Sequence, residues 1–246
     1  MIQLDRQGAV AVLTLDRPEK HNALNIEFCH ALRTAVEDLI RAGDTRVIVL
    51  TGNGRSFCSG ADLDEVYSAE FREALYTTLY TVTDAPVPVI AAVNGAAIGA
   101  GTQLAIAADF RVVAERARFA VPTARLGLAV DPWTIRRLAL LAGNGVARRL
   151  LLACDELDAA AAVACGLADR SGGLEEALEW ARAMAVLAPL TQAYSKRALN
   201  GVFESDLDEP LASELTKAFE ACWSSEDVEE GRRARAEKRA PVFRGR

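Results

Sequence analysis

Two glycine-rich turns, TGNGRSFCSGADL (Thr51 to Leu63) and VNGAAIGAG (Val93 to Gly101), each follow a run that reads as a buried strand. Glycine and alanine at a helix start leave backbone N–H groups uncovered, and the helix dipole adds positive potential there. The chemistry of such a place is the stabilisation of negative charge on oxygen. The nucleotide-binding versions of it do not fit: neither turn runs into the Lys and Ser/Thr of a P-loop, and in GAGTQL the last glycine of a dinucleotide fingerprint is replaced by Leu104. Two turns of this kind facing each other make an oxyanion hole for a carbonyl. One turn into the following helix stands Gln103, which can orient a water or a carbonyl but cannot take up and return a proton.

The elements that must hold these turns can be read from periodicity. AVAVLTLD (Ala9 to Asp16) alternates as a strand and ends in the charged loop RPEKHNALN. Behind Asn25, a good N-cap, the residues Phe28, Leu32, Ala35, Val36, Leu39 and Ile40 recur at helical spacing over about four turns. RVIVLTGNG and PVPVIAAVNG read as buried strands, separated by a helix with Phe71, Leu75, Leu79 and Val82 on one face. DFRVVAE returns to strand. Beyond about Leu138 the pattern is helix upon helix, as in LEEALEWARAMAVLA and EPLASELTKAFEACW. An α/β core followed by a helical C-terminal part is therefore expected, without a low-complexity linker.

With 246 residues, 51% of them apolar, the chain is long enough for one substantial core. A net charge of −6 gives no support to a nucleic-acid surface, although the segment RRARAEKRAPVFRGR is basic and by itself reads as a solvated helix end. Five scattered cysteines without CxxC spacing read as reduced thiols, and His21 and His30 have no partners for a metal cluster. The first strand-like run starts almost at Met1 with no signal-peptide pattern ahead of it, and no apolar run is long enough to span a membrane. A cytoplasmic protein, at most peripheral at a membrane, is expected.

The segments FCSGADL and AAVNGAAIGAGTQLAIAADFRVV, with RPEKHNALN before and EKRAPVF after them, resemble the crotonase (enoyl-CoA hydratase/isomerase) superfamily over essentially the whole chain. The resemblance implies a ClpP-like β-β-α spiral core over residues 1–190. A helical region, 191–246, would contribute to oligomerisation and CoA binding, in a homotrimer or a dimer of trimers. It implies a coenzyme A thioester as ligand and no resident cofactor or metal. The thioester carbonyl would lie between the N–H groups of Ser59 and Ala100. Ala23, Gly60, Ala61, Asp62 and Leu63 would receive the CoA, with Phe219 packed near it and Lys238 on its phosphate, often from a neighbouring subunit.

Members that hydrate enoyl thioesters use two glutamates, and at the matching positions this chain has Gln103 and Thr123. Each positioned acid or base contributes roughly 10²- to 10⁴-fold, so ordinary hydratase activity is expected to be very low. Asp131 has two readings: N-cap of a helix whose first residue is Pro132, or the match to an aspartate used by dienoyl-CoA isomerases of the superfamily. Trp133 replaces a small residue and would narrow the acyl pocket or anchor a helix. Together these features look most like a catalytically silent, mycolic-acid-associated mycobacterial branch of the family. That likeness implies an acyl-CoA binder in fatty-acid metabolism, serving elongation or lipid-transport proteins. The alternative is an isomerase or weak hydratase working through Asp131 and the oxyanion hole.

Overall fold

The computed structural model describes residues 1–204 and 209–245. The chain opens with an antiparallel hairpin of β1 (Ile2–Gln7) and β2 (Val10–Leu15), followed by α1 (Ile26–Ala42). α1 starts where the sequence places it: the Asn25 side chain accepts the Phe28 N–H at 2.9 Å, and Gly43 in the left-handed region ends it.

Three turns of a spiral come next, each built as strand, strand, helix. The first is β3 (Val47–Gly52), β4 (Ser56–Cys58) and α2 (Ala69–Asp84); the second is β5 (Val89–Val93), β6 (Ala96–Ile98) and α3 (Ala100–Ala107). The third is β7 (Phe110–Val113), β8 (Arg118–Ala120), a short 3-10 turn over 122–126, then α4 (Pro132–Ala142) and α5 (Asn144–Leu152). The chain continues through β9 (Glu156–Asp158), α6 (Ala159–Ala164), β10 (Arg170–Ser171) and α7 (Leu174–Ala185). It ends with α8 (Pro189–Glu204), α9 (Glu209–Trp223) and α10 (Glu226–Ala236). Stacking the turns makes two sheets, six strands in the order β1-β2-β3-β5-β7-β10 and four in the order β4-β6-β8-β9. Among the described residues no helix is long and apolar enough to cross a membrane.

The inner strands of the larger sheet, β2, β3, β5 and β7, are buried on both faces, which explains their near-continuous apolar sequences, whereas the edge strands β1 and β10 are exposed. Ile48 and Leu50 face the helices α1 and α2, while Val47 and Val49 pack under Ala177, Leu178 and Ala181 of α7. The smaller sheet is the part that the sequence pattern does not announce. β6 lies inside what reads as a glycine turn, and three-residue strands are too short to show alternation.

The same stacking accounts for the glycines. A Cβ on Gly95 would lie 2.0 Å from the Arg55 carbonyl oxygen, and one on Gly101 would lie 2.0 Å from that of Cys58. Successive turns of the spiral thus touch backbone to backbone at the two glycine turns. At the other end, Cβ atoms on Gly127 and Gly231 would meet the carbonyls of Asp227 at 2.5 Å and Leu126 at 2.2 Å, so α10 lies directly against the 3-10 turn.

The cysteines divide sharply. Cys29 and Cys58 are buried, and burial pushes both thiols up to about 12, whereas Cys222 on α9 is exposed. A thiol reagent at mildly alkaline pH is expected to label Cys222 at once and Cys29 and Cys58 only after unfolding, as peptide mapping would show. Prompt native labelling of Cys29 or Cys58 would contradict this packing.

Candidate functional site

The cavity is about 610 Å³ and lies between the two glycine turns. Its floor is the start of α3, with Gly99, Ala100 and Gln103 on the wall. α3 has no side-chain cap, since its N-cap is Gly99 at φ 54°, and the N–H of Ala100 has no hydrogen-bond acceptor among the described residues. Ser59 and Gly60 form the facing turn, α2 contributes Phe71, Leu75 and Tyr76, and Thr123, Leu128 and Val130 close the side toward α4.

The RPEKHNALN loop is zipped onto this arrangement. The Asn22 side chain, fully buried, donates to the carbonyls of Asn53 and Ser56 at 3.0 and 2.9 Å. The N–H of Leu24 donates to Gly60 at 2.8 Å, and that of Asp62 returns to Leu24 at 2.6 Å. His21 and Asn22 take left-handed φ values of 52° and 58° to make the turn. One consequence differs from the sequence-based expectation of two open oxyanion donors. The N–H of Ser59 is already donated to the His21 carbonyl at 3.1 Å, leaving Ala100 as the open member of the pair.

Ser59, Ala100, Gln103, Thr123, Ala23, Gly60, Ala61, Asp62 and Leu63 all line the cavity. Asp131, Trp133, Phe219 and Lys238 do not. The Trp133 ring is buried edge-on to Tyr80 at 5.7 Å with the Arg137 guanidinium 5.3 Å from its centre, so in this chain it anchors α4 and does not form the cavity wall. Neighbouring residues on a helix point about 100° apart, and here it is Thr134 that faces Gln103. Phe219 sits in an adjoining apolar groove with Val130 and Ile135. Lys238 follows α10, exposed, and does not reach the cavity within a single chain.

Asp131 is the N-cap of α4. Its carboxylate accepts the Thr134 N–H at 3.2 Å and also the Thr134 hydroxyl. Burial pushes its pKa above the ordinary carboxylate value, against the pull of these donors. Asp62 is the reverse case: burial opposes ionisation, but the Asp64 N–H and the Arg17 guanidinium, 2.9 Å away, hold it below its usual range. Glu19 and Asp62 are the only carboxylates on the wall among the described residues, and both pair with Arg17.

Among the wall residues that the sequence does not mark are Arg72, Tyr76, Trp223 and Arg235. The first two had a signal, because they stand four apart beside the apolar stripe of α2 and so share a face. Arg72 holds α9 over the cavity, its guanidinium 4.9 Å from the Trp223 ring centre and 3.2 Å from the Glu220 carboxylate. The Tyr76 hydroxyl accepts the Asp131 N–H at 3.2 Å; burial first, and the nearby Asp131 charge second, push its pKa up.

A stacked β-β-α spiral with an open helix N-terminus beside a largely apolar cavity is an arrangement able to hold a negatively charged oxygen by backbone donors. The sequence profile described as enoyl-CoA hydratase/isomerase matches residues 5–246, and the chain belongs to that family. It is 45% identical over 250 aligned positions to a probable enoyl-CoA hydratase, echA6, of Mycobacterium leprae, with both chains fully covered. Among solved structures it resembles methylmalonyl-CoA decarboxylase, with a TM-score of 0.91 and 26% identity over 100% of this chain and 98% of that one. EchA1_1 of Mycobacterium paratuberculosis is similar with a TM-score of 0.85 and 37% identity, over 100% and 98% of the two chains.

Proposed function

We propose that the protein binds fatty acyl-CoA thioesters in this cavity without hydrating them. The observation that carries the reading is the absence, among the described residues, of any carboxylate on the cavity wall other than Glu19 and Asp62, which pair with Arg17. Adding water across an enoyl thioester needs a base for the water and an acid for the α-carbon. Gln103 and Thr123 supply neither. The shared Ser59 N–H weakens the oxyanion hole further.

In this reading the thioester oxygen meets the Ala100 N–H, the acyl chain lies against Phe71, Leu75, Leu128 and Val130, and the CoA runs past Ala23 and Gly60 to Leu63. CoA thioester is the ligand, and no resident cofactor takes part. Residues 191–246 serve assembly into trimers, or dimers of trimers, where Lys238 reaches the phosphate of a CoA held by a neighbour. The likeness to a mycobacterial probable enoyl-CoA hydratase supports acyl-CoA chemistry, and in this reading the protein serves fatty-acid and mycolic-acid metabolism, handing the acyl group to elongation or lipid-transport proteins. An isomerase acting through Asp131 is disfavoured because that carboxylate caps α4 and lies off the wall.

Thermal unfolding with a ladder of ligands tests the reading. A ligand at 100 times its Kd stabilises the native state by about 2.7 kcal/mol, which raises Tm by about 5 to 10 °C in a chain of this size. The shift is expected to grow from CoA through short to long saturated acyl-CoA. No shift with any thioester would contradict acyl-CoA binding.

A further inference from the structure

Behind the cavity floor, three side chains from two distant segments form a directed chain of hydrogen bonds. Gln103 and Thr134 are nearly or fully buried and Asp131 is buried beside them. The Gln103 amide nitrogen donates to the Thr134 hydroxyl oxygen at 2.9 Å, and that hydroxyl donates to the Asp131 carboxylate. A hydroxyl has one proton. An ionised carboxylate only accepts, so the Thr134 proton is committed to Asp131 and its oxygen is left to accept. Of the two ends of the Gln103 amide, only the nitrogen satisfies that oxygen. Asp131 is itself fixed in place, since its backbone N–H donates to the Tyr76 hydroxyl and its carboxylate caps α4. Tyr76 and Gln103 both line the cavity, with the Tyr76 hydroxyl beside the Gln103 amide, whereas Asp131 and Thr134 do not line it.

We infer that Asp131, acting through Thr134, sets the polarity of the cavity: it holds the Gln103 nitrogen inward and turns the Gln103 carbonyl oxygen toward the ligand. Asp131 is then a positioning residue. Gln103 stands one helical turn beyond Ala100, so its amide lies beside the acyl carbons nearest the thioester. An acceptor at that place selects acyl groups that carry a hydrogen-bond donor there, such as a 3-hydroxyacyl thioester, over those with an acceptor only, such as a 3-oxoacyl thioester. The selectivity rests on the acyl-CoA reading above; the orientation of the amide does not.

Two readouts on the full-length protein separate the two. The Gln103 side-chain amide, assigned in nitrogen-15 spectra by its loss in Gln103→Leu, is expected to be shifted and protected from exchange in the parent and in Thr134→Ser. Thr134→Val, the same size without the hydroxyl, is expected to lose that protection. In calorimetry the parent and Thr134→Ser are expected to bind 3-hydroxyacyl-CoA about tenfold more tightly than 3-oxoacyl-CoA of the same length, as one net hydrogen bond allows. In Thr134→Val the ratio is expected to fall to within about twofold, because the amide is then free to turn. An unchanged amide signal in Thr134→Val overturns the positioning role. Binding of both thioesters with an equal ratio in parent and Thr134→Val overturns the selectivity alone. Failure of both thioesters to bind the parent overturns the selectivity together with the acyl-CoA reading, while the amide signal still decides the positioning.

Discussion

Replacing Gln103 and Thr123 together with glutamate is expected to raise enoyl-CoA hydration by at least about 10²-fold over a parent rate indistinguishable from background. The physical reason is that the cavity has an open backbone donor at Ala100 and no proton-exchanging side chain at 103 or 123. The gain should fall short of the roughly 10⁴-fold or more that two well-tuned groups can supply, for two reasons seen in the structure. The Ser59 N–H is shared with His21. A carboxyl introduced at 103 also meets a Thr134 oxygen whose proton belongs to Asp131, so two carboxyls compete for one donor and one of them is driven to stay protonated. That outcome suits a general acid and handicaps a base. Steady-state rates with a short enoyl-CoA, for the two single variants and the double, check this. A double variant as inert as the parent, yet binding the thioester normally, would contradict it.

Gly101→Ala is expected to be among the most damaging single-methyl changes in the chain. The added carbon would lie 2.0 Å from the Cys58 carbonyl oxygen and 2.9 Å from its carbon, both backbone atoms in the adjacent spiral turn. Neither can move without separating β4 from α3 and so pulling apart the floor of the cavity. A destabilisation of about 3 kcal/mol is expected, which lowers Tm by about 6 to 12 °C, together with loss of thioester binding in whatever remains folded. Gly145→Ala is the matched control. It lies in α5 with nothing within 4 Å of its added carbon, and helix propensity predicts a gain of about 0.5 to 1 kcal/mol. Equal Tm values for the two variants would show that the backbone contact between spiral turns is not what the glycines serve.

Much of the scaffold is legible in the sequence. The Asn25 cap, the stripe of α1, the buried runs of β3 and β5 and the capping role of Asp131 are local features, and each appears where its local chemistry places it. The strands β4, β6 and β8 could not be read, because three residues pairing across 20 or more positions of sequence have no periodicity of their own. The glycine turns had a legible chemistry but an incomplete explanation. Their composition points to exposed N–H groups, and in the fold Gly95 and Gly101 serve equally to let two layers of backbone touch.

The site shows the same division. Nine of the residues marked from the sequence line one cavity, since they belong to the two turns, the loop zipped onto them and the 3-10 turn bearing Thr123. For Trp133 the resemblance leaves two readings, a narrowed acyl pocket or a helix anchor, because position in the sequence does not say which way a helical side chain points. Thr134, next to it, makes the contact with Gln103 that matters, across 31 residues of sequence. Arg72 and Trp223 meet only because α9 folds back over α2.

The central claim, a cavity that grips acyl-CoA and leaves it unchanged, is tested most directly by calorimetric titration of the purified protein with 2-enoyl-CoA thioesters of increasing length, the same samples being followed for loss of the enoyl absorbance. The account predicts saturable binding that tightens with chain length, with the absorbance constant over many hours. Steady loss of the enoyl absorbance at a rate proportional to protein, abolished by Gln103→Leu or Asp131→Asn, would contradict it and return the protein to the enzymes of its family.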